Sequence, residues 1–255
     1  MTDLAFRDHG TGTPLLLLHA FPLHGGMYRA QLDGALGTAR VLAPDLPGFG
    51  DSPAPFGEPS LDAWADRLAE LLDATGLGKA VVGGISMGGY LAMAFARRHP
   101  ERLAGLLLAD TKASTDQPAA LANRERIAAA VLARNSVALL REERLEESLL
   151  GSESTPELVR EVRALIGAAS PAGVAWAQRA MAGRVDSFDT LAGLRVPAAV
   201  VVGEHDALTP VADAEELAQA LPDAELTVIP GVGHLTALEA PAAFNAAVTA
   251  LLRRV

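Results

Sequence analysis

A serine flanked by glycines stands between an apolar run and a helix-forming segment. The stretch GISMG at residues 84–88 follows the short run 80–82 and precedes residues 90–99, which are mostly helix formers and end before Pro100. Glycines leave room for the close backbone approach of a sharp strand-to-helix turn, and such a turn exposes a serine Oγ as a nucleophile. A glycine-rich turn around a bystander serine would have the same sequence, so the role of Ser86 depends on what else the chain provides.

A serine hydroxyl is a weak nucleophile at neutral pH unless a base takes its proton and a carboxylate orients that base. His234 lies in a glycine-containing loop directly after the apolar run 225–229, and Asp206 directly follows the run 198–203. The carboxyl ends of parallel strands meet at one edge of a sheet, where such folds place their ligands. We therefore predict that Ser86 attacks, His234 transfers the proton and Asp206 orients the imidazole.

Other residues compete for these roles. Asp110 also ends an apolar run, and it is the alternative carboxylate because it lies where a helical insertion begins. Glu204 and His205 adjoin Asp206, but successive strand residues point to opposite faces, so we predict no metal site there. Ser52 stands in a loop rich in Pro and Gly and is interpreted as a turn residue. The chain has no cysteine, which excludes disulfides, thiolate metal sites and a thiol nucleophile.

Acyl transfer also needs N–H donors that face the oxyanion of the tetrahedral intermediate. One predicted donor is the backbone N–H of Met87, at the start of the helix after the serine. The second is the backbone N–H of Phe21, in the loop after the apolar run 15–18, because Pro22 has no N–H. In this interpretation His19 organises the loop by hydrogen bonding and is not a catalyst.

Composition limits the classes of protein and partner. The chain has 255 residues, of which 50% are hydrophobic and 20% charged, as in a globular protein with a full core. The formal net charge of −10 argues against nucleic-acid binding, which depends on Lys and Arg contacts to phosphates. The N-terminus carries acids where a secretory signal has bases, and residues 15–18 are too few to cross a bilayer. We therefore expect a cytoplasmic protein with no nucleic-acid or membrane partner, and the sequence does not indicate its oligomeric state.

Short apolar runs alternate with helical patterns toward both ends of the chain, which predicts an α/β fold with a parallel sheet. The predicted strands are 14–19, 41–43, 80–85, 103–109, 198–203 and 225–229. The predicted helices between and after them are 27–36, 61–75, 88–99, 211–220 and 241–253.

The pattern changes between the two halves of this α/β region. Helical stretches at 119–134, 137–149, 156–166 and 173–182 follow one another without a strand pattern. We predict an α/β core at 1–110 and 195–255, with an all-helical insertion at 111–194 that caps the carboxyl edge of the sheet. Packing of these helices on a flank of the sheet is the alternative.

The residues expected near Ser86 are largely apolar. They are Phe21, Leu23, Met27, Met87 and, from the cap, Trp176. An apolar pocket favours a small substrate with a hydrophobic acyl or ring portion over a highly charged one.

Five sequence blocks together resemble the α/β-hydrolase superfamily over essentially the whole chain. They are HAFP at 19–22, DLPGFGDS at 45–52, GISMG at 84–88, GEHD at 203–206, and GVGHL at 231–235 with Glu239 and Pro241. The order Ser86, Asp206, His234 is also that of the superfamily. The resemblance implies a central, mostly parallel sheet flanked by helices and a cofactor-independent hydrolase of esters or lactones. One departure is Ala20, where the family usually has glycine, so the oxyanion loop of this chain could differ.

Within the superfamily, the stretch DTKA at 110–113, residues 122–124 and the segment 170–184 are similar to 3-oxoadipate enol-lactonase-like carboxylesterases. A substrate of that kind carries a carboxylate, which cap arginines could contact. The candidates are Arg124, Arg126, Arg179 and Arg184, and surface charges on helices are the simpler interpretation of them.

The expected activity is therefore carboxylic ester or lactone hydrolysis through an acyl-enzyme on Ser86. The same three residues could instead support C–C bond hydrolysis or perhydrolysis. A non-catalytic receptor that keeps the fold and its pocket is a third possibility, although the chain lacks no member of the predicted triad.

Overall fold

The fold is built on a seven-stranded sheet. The computed structural model describes residues 3–37 and 39–255. The strands are β1 (Phe6–His9), β2 (Thr13–Leu18), β3 (Ala39–Pro44), β4 (Ala80–Ile85), β5 (Leu103–Ala109), β6 (Ala198–Gly203) and β7 (Ala224–Ile229). Their order is β1-β3-β2-β4-β5-β6-β7, with β1 antiparallel to β3 and the other neighbours parallel. This topology confirms the predicted α/β class and its mostly parallel sheet.

The central strands are apolar along their whole length because helices cover both faces of a parallel sheet. Every residue of β4 and of β6 is buried. In β2, Leu15 to Leu18 have no exposed surface. These strands form the middle of the core and carry the loops of the site at their carboxyl ends.

Twelve α-helices surround the sheet in the described part of the chain. They are α1 (Arg29–Leu32), α2 (Leu61–Ala74), α3 (Met87–Arg98), α4 (Pro118–Arg134), α5 (Ala138–Glu142), α6 (Leu145–Leu149), α7 (Pro156–Gly167), α8 (Pro171–Ala182), α9 (Phe188–Gly193), α10 (Val211–Ala220), α11 (Thr236–Glu239) and α12 (Pro241–Leu252). Short 3₁₀ turns lie at Gly25–Tyr28 and Pro100–Arg102. None of the described helices combines the length and apolarity of a membrane span.

Helices α4 to α9 lie between β5 and β6, and we call residues 118–193 the cap. Three of them begin with a proline in the first turn, a position that needs no backbone N–H donor. Ser170 caps α8 by accepting a hydrogen bond from Gly173 N at 2.9 Å. The same hydroxyl donates to Gly48 O at 2.7 Å, which joins this end of the cap to a loop of the core.

Candidate active site

The turn around Ser86 has the strained geometry that its glycines predict. Ser86 has φ 57° and ψ −115°, a left-handed conformation that is rare for a residue with a side chain. A Cβ at Gly84 or at Gly88 would collide with the carbonyl oxygen of Leu18 in β2. The glycines therefore let β4 turn into α3 directly against the end of β2. Ser86 Oγ makes no hydrogen bond to any described residue, and Ser86 lines a cavity that His234 also lines.

His234 and Asp206 lie within hydrogen-bond distance of each other, as the sequence predicts. His234 Nδ1 is 2.8 Å from Asp206 Oδ2, and both side chains are almost completely buried. Asp206 Oδ1 also accepts hydrogen bonds from Leu208 N and Thr209 N, at 2.9 and 3.0 Å. Thr209 Oγ1 donates to Asp206 Oδ2 at 2.7 Å. With all these donors the carboxylate is held charged, so the imidazole proton lies on Nδ1 and Nε2 is left free as a base.

The electrostatics of this pair favour the charged imidazolium. Burial acts to lower the pKa of His234, but the hydrogen bond to Asp206 and the charges of Asp206 and Asp110 outweigh it and raise that pKa. Burial acts to raise the pKa of Asp206, and its hydrogen bonds with His234 and Thr209 reverse the effect and lower it. The surroundings of His234 therefore favour its protonated form.

The alternative acid, Asp110, contacts Gly203 and Thr236 beside the pair instead of the imidazole. Its Oδ1 accepts from Gly203 N at 3.0 Å, and its Oδ2 accepts from Thr236 N and Thr236 Oγ1 at 3.2 and 2.6 Å. Burial raises the pKa of this fully enclosed carboxyl to about 7. Asp110 thus connects the end of β6 to the loop that carries His234, and Asp206 is the carboxylate in contact with the histidine.

Two hydrogen bonds of a neutral His19 ring hold the loop after β2. His19 Nδ1 donates to Ala20 O at 3.0 Å, and Nε2 accepts from Leu46 N at 3.0 Å. Burial lowers the pKa of His19 to about 4, in keeping with this neutral form. Ala20 is not among the described residues with positive φ, so alanine fits where the superfamily usually has glycine. Phe21 lines the cavity, and Met87 N belongs to the first turn of α3, where N–H groups lack helical acceptors.

The cavity next to Ser86 has a volume of about 430 Å³. The core supplies the predicted nucleophile and base together with Phe21 and Thr209. The cap supplies most of the remaining wall, and its apolar members are Ala120, Ile127, Leu140, Leu145, Leu149 and Met181. A small ester would therefore contact these apolar side chains together with polar and charged groups of the lining, among them Asn123 and Gln178.

Of the residues expected near Ser86, Leu23, Met27, Met87 and Trp176 do not line this cavity. Leu23 and Met27 are fully buried behind the loop after β2, where Met27 Sδ accepts a hydrogen bond from Ala20 N at 3.3 Å. Trp176 stacks on Trp64 of α2 with ring centroids 4.5 Å apart. The indole of Trp176 faces the core because this part of α8 packs against α2. The cavity wall comes instead from α4, α5, α6 and a different part of α8.

A family model described as the alpha/beta hydrolase fold matches residues 13–241. The chain belongs to the α/β-hydrolase family. It is 31% identical over 245 residues to a pimeloyl-[acyl-carrier protein] methyl ester esterase of Chromobacterium violaceum, covering 91% of both chains. It is 28% identical over 253 residues to a putative carbamate hydrolase RutD of Azorhizobium caulinodans, covering 95% of this chain and 92% of the relative.

Solved structures agree with this placement in the α/β-hydrolase family. A thermophilic esterase from Thermogutta terrifontis, determined with malate bound, superposes with a TM-score of 0.94 and 43% identity over 98% of this chain and 93% of its own. The enol-lactonase of Burkholderia xenovorans LB400 superposes with a TM-score of 0.81 and 25% identity over 98% and 96%. This α/β-hydrolase is an enzyme of the carboxylesterase type.

The four cap arginines of this hydrolase fall into two groups. Arg126 pairs with Glu143 and Arg179 with Glu125 on the surface. Arg124 lines the cavity, and both Arg124 and Arg184 pair with Asp116. Burial acts to raise the pKa of Asp116, but hydrogen bonds from the two arginines lower it strongly.

Glu239 contacts both the cap and the loop of His234, a role that sequence reasoning did not assign. Its carboxylate accepts from Gly233 N and Leu235 N, on either side of the histidine, each at 3.2 Å. It also accepts from Gly151 N at 2.8 Å and Ser154 Oγ at 2.9 Å in the cap. The sequence shows Glu239 only as part of the segment that resembles the α/β-hydrolase superfamily. It does not indicate these contacts, because the cap residues that donate to Glu239 are distant along the chain.

Proposed function

We propose that this enzyme hydrolyses carboxylic esters or lactones of small, largely apolar substrates through an acyl-enzyme on Ser86. The observation that carries the proposal is the buried contact of 2.8 Å between His234 Nδ1 and Asp206 Oδ2, beside a cavity that Ser86 shares. Oriented in this way, the free Nε2 of His234 is available to the serine hydroxyl. Ser86 Oγ and His234 are not hydrogen-bonded in this conformation, and such catalytic contacts often tighten only when substrate binds.

The reaction proceeds in two steps on these residues. Ser86 Oγ attacks the ester carbonyl carbon as His234 Nε2 accepts its proton, and the N–H groups of Phe21 and Met87 stabilise the oxyanion. The imidazolium then protonates the departing alkoxide, which leaves as an alcohol or, from a lactone, stays attached to the acyl chain. Water attacks the acyl-enzyme with His234 again as base, and the acid is released from Ser86.

A panel of substrates tests the proposed reaction class. We expect the wild-type enzyme to turn over p-nitrophenyl acetate and butyrate and simple five- and six-membered lactones, because the cavity of about 430 Å³ suits small substrates and its cap wall carries apolar side chains. The measurement is kcat/KM for each substrate. Faster conversion of a β-diketone, or preferential transfer to hydrogen peroxide over water, would assign the site to C–C hydrolysis or perhydrolysis. Binding of these esters without turnover would instead indicate a receptor.

The pH dependence of the reaction follows from the role of His234. Because the imidazole must be neutral to accept the serine proton, kcat/KM should fall as pH drops through the His234 pKa. Contacts with Asp206 raise that pKa above its usual value of about 6.5, so the acidic limb should have its midpoint above about pH 6.5. The measurement is kcat/KM for a neutral ester across the pH range in which the enzyme stays folded. A midpoint well below the usual histidine pKa would contradict the assignment of His234 as the base.

A further inference from the structure

The charged side chains that line the catalytic cavity are paired, with one exception. Arg124 pairs with Asp116, and His234 contacts Asp206. Glu143 is held by two hydrogen bonds from Arg126, at 2.7 and 2.9 Å. Lys112, the remaining charged residue of the lining, has no ion pair or hydrogen bond with any residue in 3–37 or 39–255. Lys112 is therefore a cation of the cavity lining without a counter-ion among the described residues.

Lys112 is close to the nucleophile turn along the chain and in space. The preceding residue, Thr111, donates from its Oγ1 to Ser86 O at 2.9 Å. Lys112 itself is half-buried and lines both the catalytic cavity and a smaller cleft of about 90 Å³. Tyr90 lines both spaces as well. Lys112 and Tyr90 thus both border the catalytic cavity and the smaller cleft.

Neighbouring charges do not neutralise this lysine. In the smaller cleft, Arg97 pairs with Asp62 and Arg184 pairs with Asp116. Asp213 is near enough for the charge of Lys112 to act on it, but the two side chains form no ion pair. The formal net charge of the chain is −10, so the free cation is not part of a generally basic surface. An anion that entered the cavity would find a partner without displacing an existing ion pair.

From this geometry we infer that Lys112 binds a carboxylate carried by the substrate, away from the bond that is cleaved. The inference rests on the proposed ester hydrolysis and names its substrate class: monoesters of short dicarboxylic acids. A single ammonium ion matches the single charge of a carboxylate. The mainly apolar cap wall suits the methylene chain between the two ends.

The test compares substrates that differ only in this charge. The charged set is methyl hydrogen succinate, glutarate and adipate, and the neutral set is the corresponding methyl ester monoamides, which have nearly the same shape. For at least one chain length we expect kcat/KM of the wild-type enzyme to be roughly 10- to 100-fold higher for the charged ester than for its neutral partner. This ratio corresponds to the free energy of a hydrogen bond to a charged group. The preference should decrease as ionic strength rises, because salt screens the attraction.

Substitutions then assign the preference to Lys112. Lys112→Met should bring the ratio of kcat/KM for charged and neutral ester close to one, and Lys112→Glu should invert it. Lys112→Arg keeps the positive charge and should keep a preference for the charged ester. This variant still tests the role of the charge if Lys112→Met does not fold. Lys79 is an exposed lysine outside both cavities, so Lys79→Met is the matched control and should leave the ratio unchanged.

The possible failures are distinguishable. If the wild-type enzyme cleaves the neutral esters at least as well as the charged ones at every length, the carboxylate site is wrong and the proposed hydrolysis stands. If Lys112→Met and Lys112→Glu keep the wild-type preference, another group binds the carboxylate and the role of Lys112 is overturned. If no ester of either set is cleaved in a Ser86-dependent way, the proposed function itself fails.

Discussion

Replacing Ser86 by alanine is expected to lower kcat for ester hydrolysis by roughly 10⁵-fold or more, because no acyl-enzyme can form without the hydroxyl. What remains should be the weak catalysis that oxyanion donors and substrate binding provide alone, roughly 10³- to 10⁴-fold over water. The fold should persist, since Ser86 Oγ makes no hydrogen bond to any described residue. The measurements are kcat with p-nitrophenyl acetate and the far-ultraviolet circular dichroism spectrum of the variant.

Ser148 provides a matched control because it is a second serine in the lining of the same cavity. Ser148→Ala should keep kcat close to that of the wild-type enzyme. A fluorophosphonate should label the wild-type protein and Ser148→Ala but not Ser86→Ala, which ties the reactive group to one position. Full activity or undiminished labelling in Ser86→Ala would show that the nucleophile lies elsewhere.

Asp206→Asn is expected to reduce kcat by roughly 10³- to 10⁴-fold. The carboxamide would present an N–H to His234 Nδ1 and so favour the tautomer with its proton on Nε2, where the base must be free. It would also remove the charge that stabilises the imidazolium. The measurement is kcat for a neutral ester at a pH where His234 is unprotonated in the wild-type enzyme.

Asp110→Asn tests the alternative carboxylate in the same assay. Asp110 accepts hydrogen bonds from Gly203 N and from Thr236, not from His234. We therefore expect Asp110→Asn to lower kcat far less than Asp206→Asn does. Part of its effect should appear as lower thermal stability, because one buried donor would face the new NH₂ group. A larger loss of kcat in Asp110→Asn than in Asp206→Asn would make Asp110 the acid of the triad.

The central strands could be predicted from sequence because they are continuous apolar runs buried on both faces. The hydrophobic pattern does not predict strand β1 (Phe6–His9), because this strand is short, mostly exposed and polar, and depends on its pairing with β3. The segment 137–149 was predicted as one helix, but Arg144 adopts φ 54° and separates α5 from α6. The predicted helix 27–36 is reduced to a 3₁₀ turn and the short α1, with Gly34 at φ 83° beyond it. Such breaks depend on single backbone angles that an average hydrophobic pattern does not contain.

Some features of the candidate site could also be predicted from the sequence, and others could not. The positions of Asp206 and His234 could be predicted because each follows a strand, and the edge of a parallel sheet brings such residues together. The cavity wall could not, because it depends on how the cap helices dock. The sequence pattern predicts Trp176 at the substrate, whereas its ring stacks on Trp64. The lack of a counter-ion for Lys112 among the described residues depends on how side chains from distant segments pair, which the sequence pattern does not contain.

The stacked pair formed by Trp64 and Trp176 makes the enzyme its own optical probe. These are the only two tryptophans in the chain, one on α2 of the core and one on α8 of the cap, with ring centroids 4.5 Å apart. Indole emission and the near-ultraviolet circular dichroism of coupled rings therefore both originate at the junction between cap and core. Any movement that separates α8 from α2 will change these signals directly, so docking of the cap can be followed in real time on the unmodified protein.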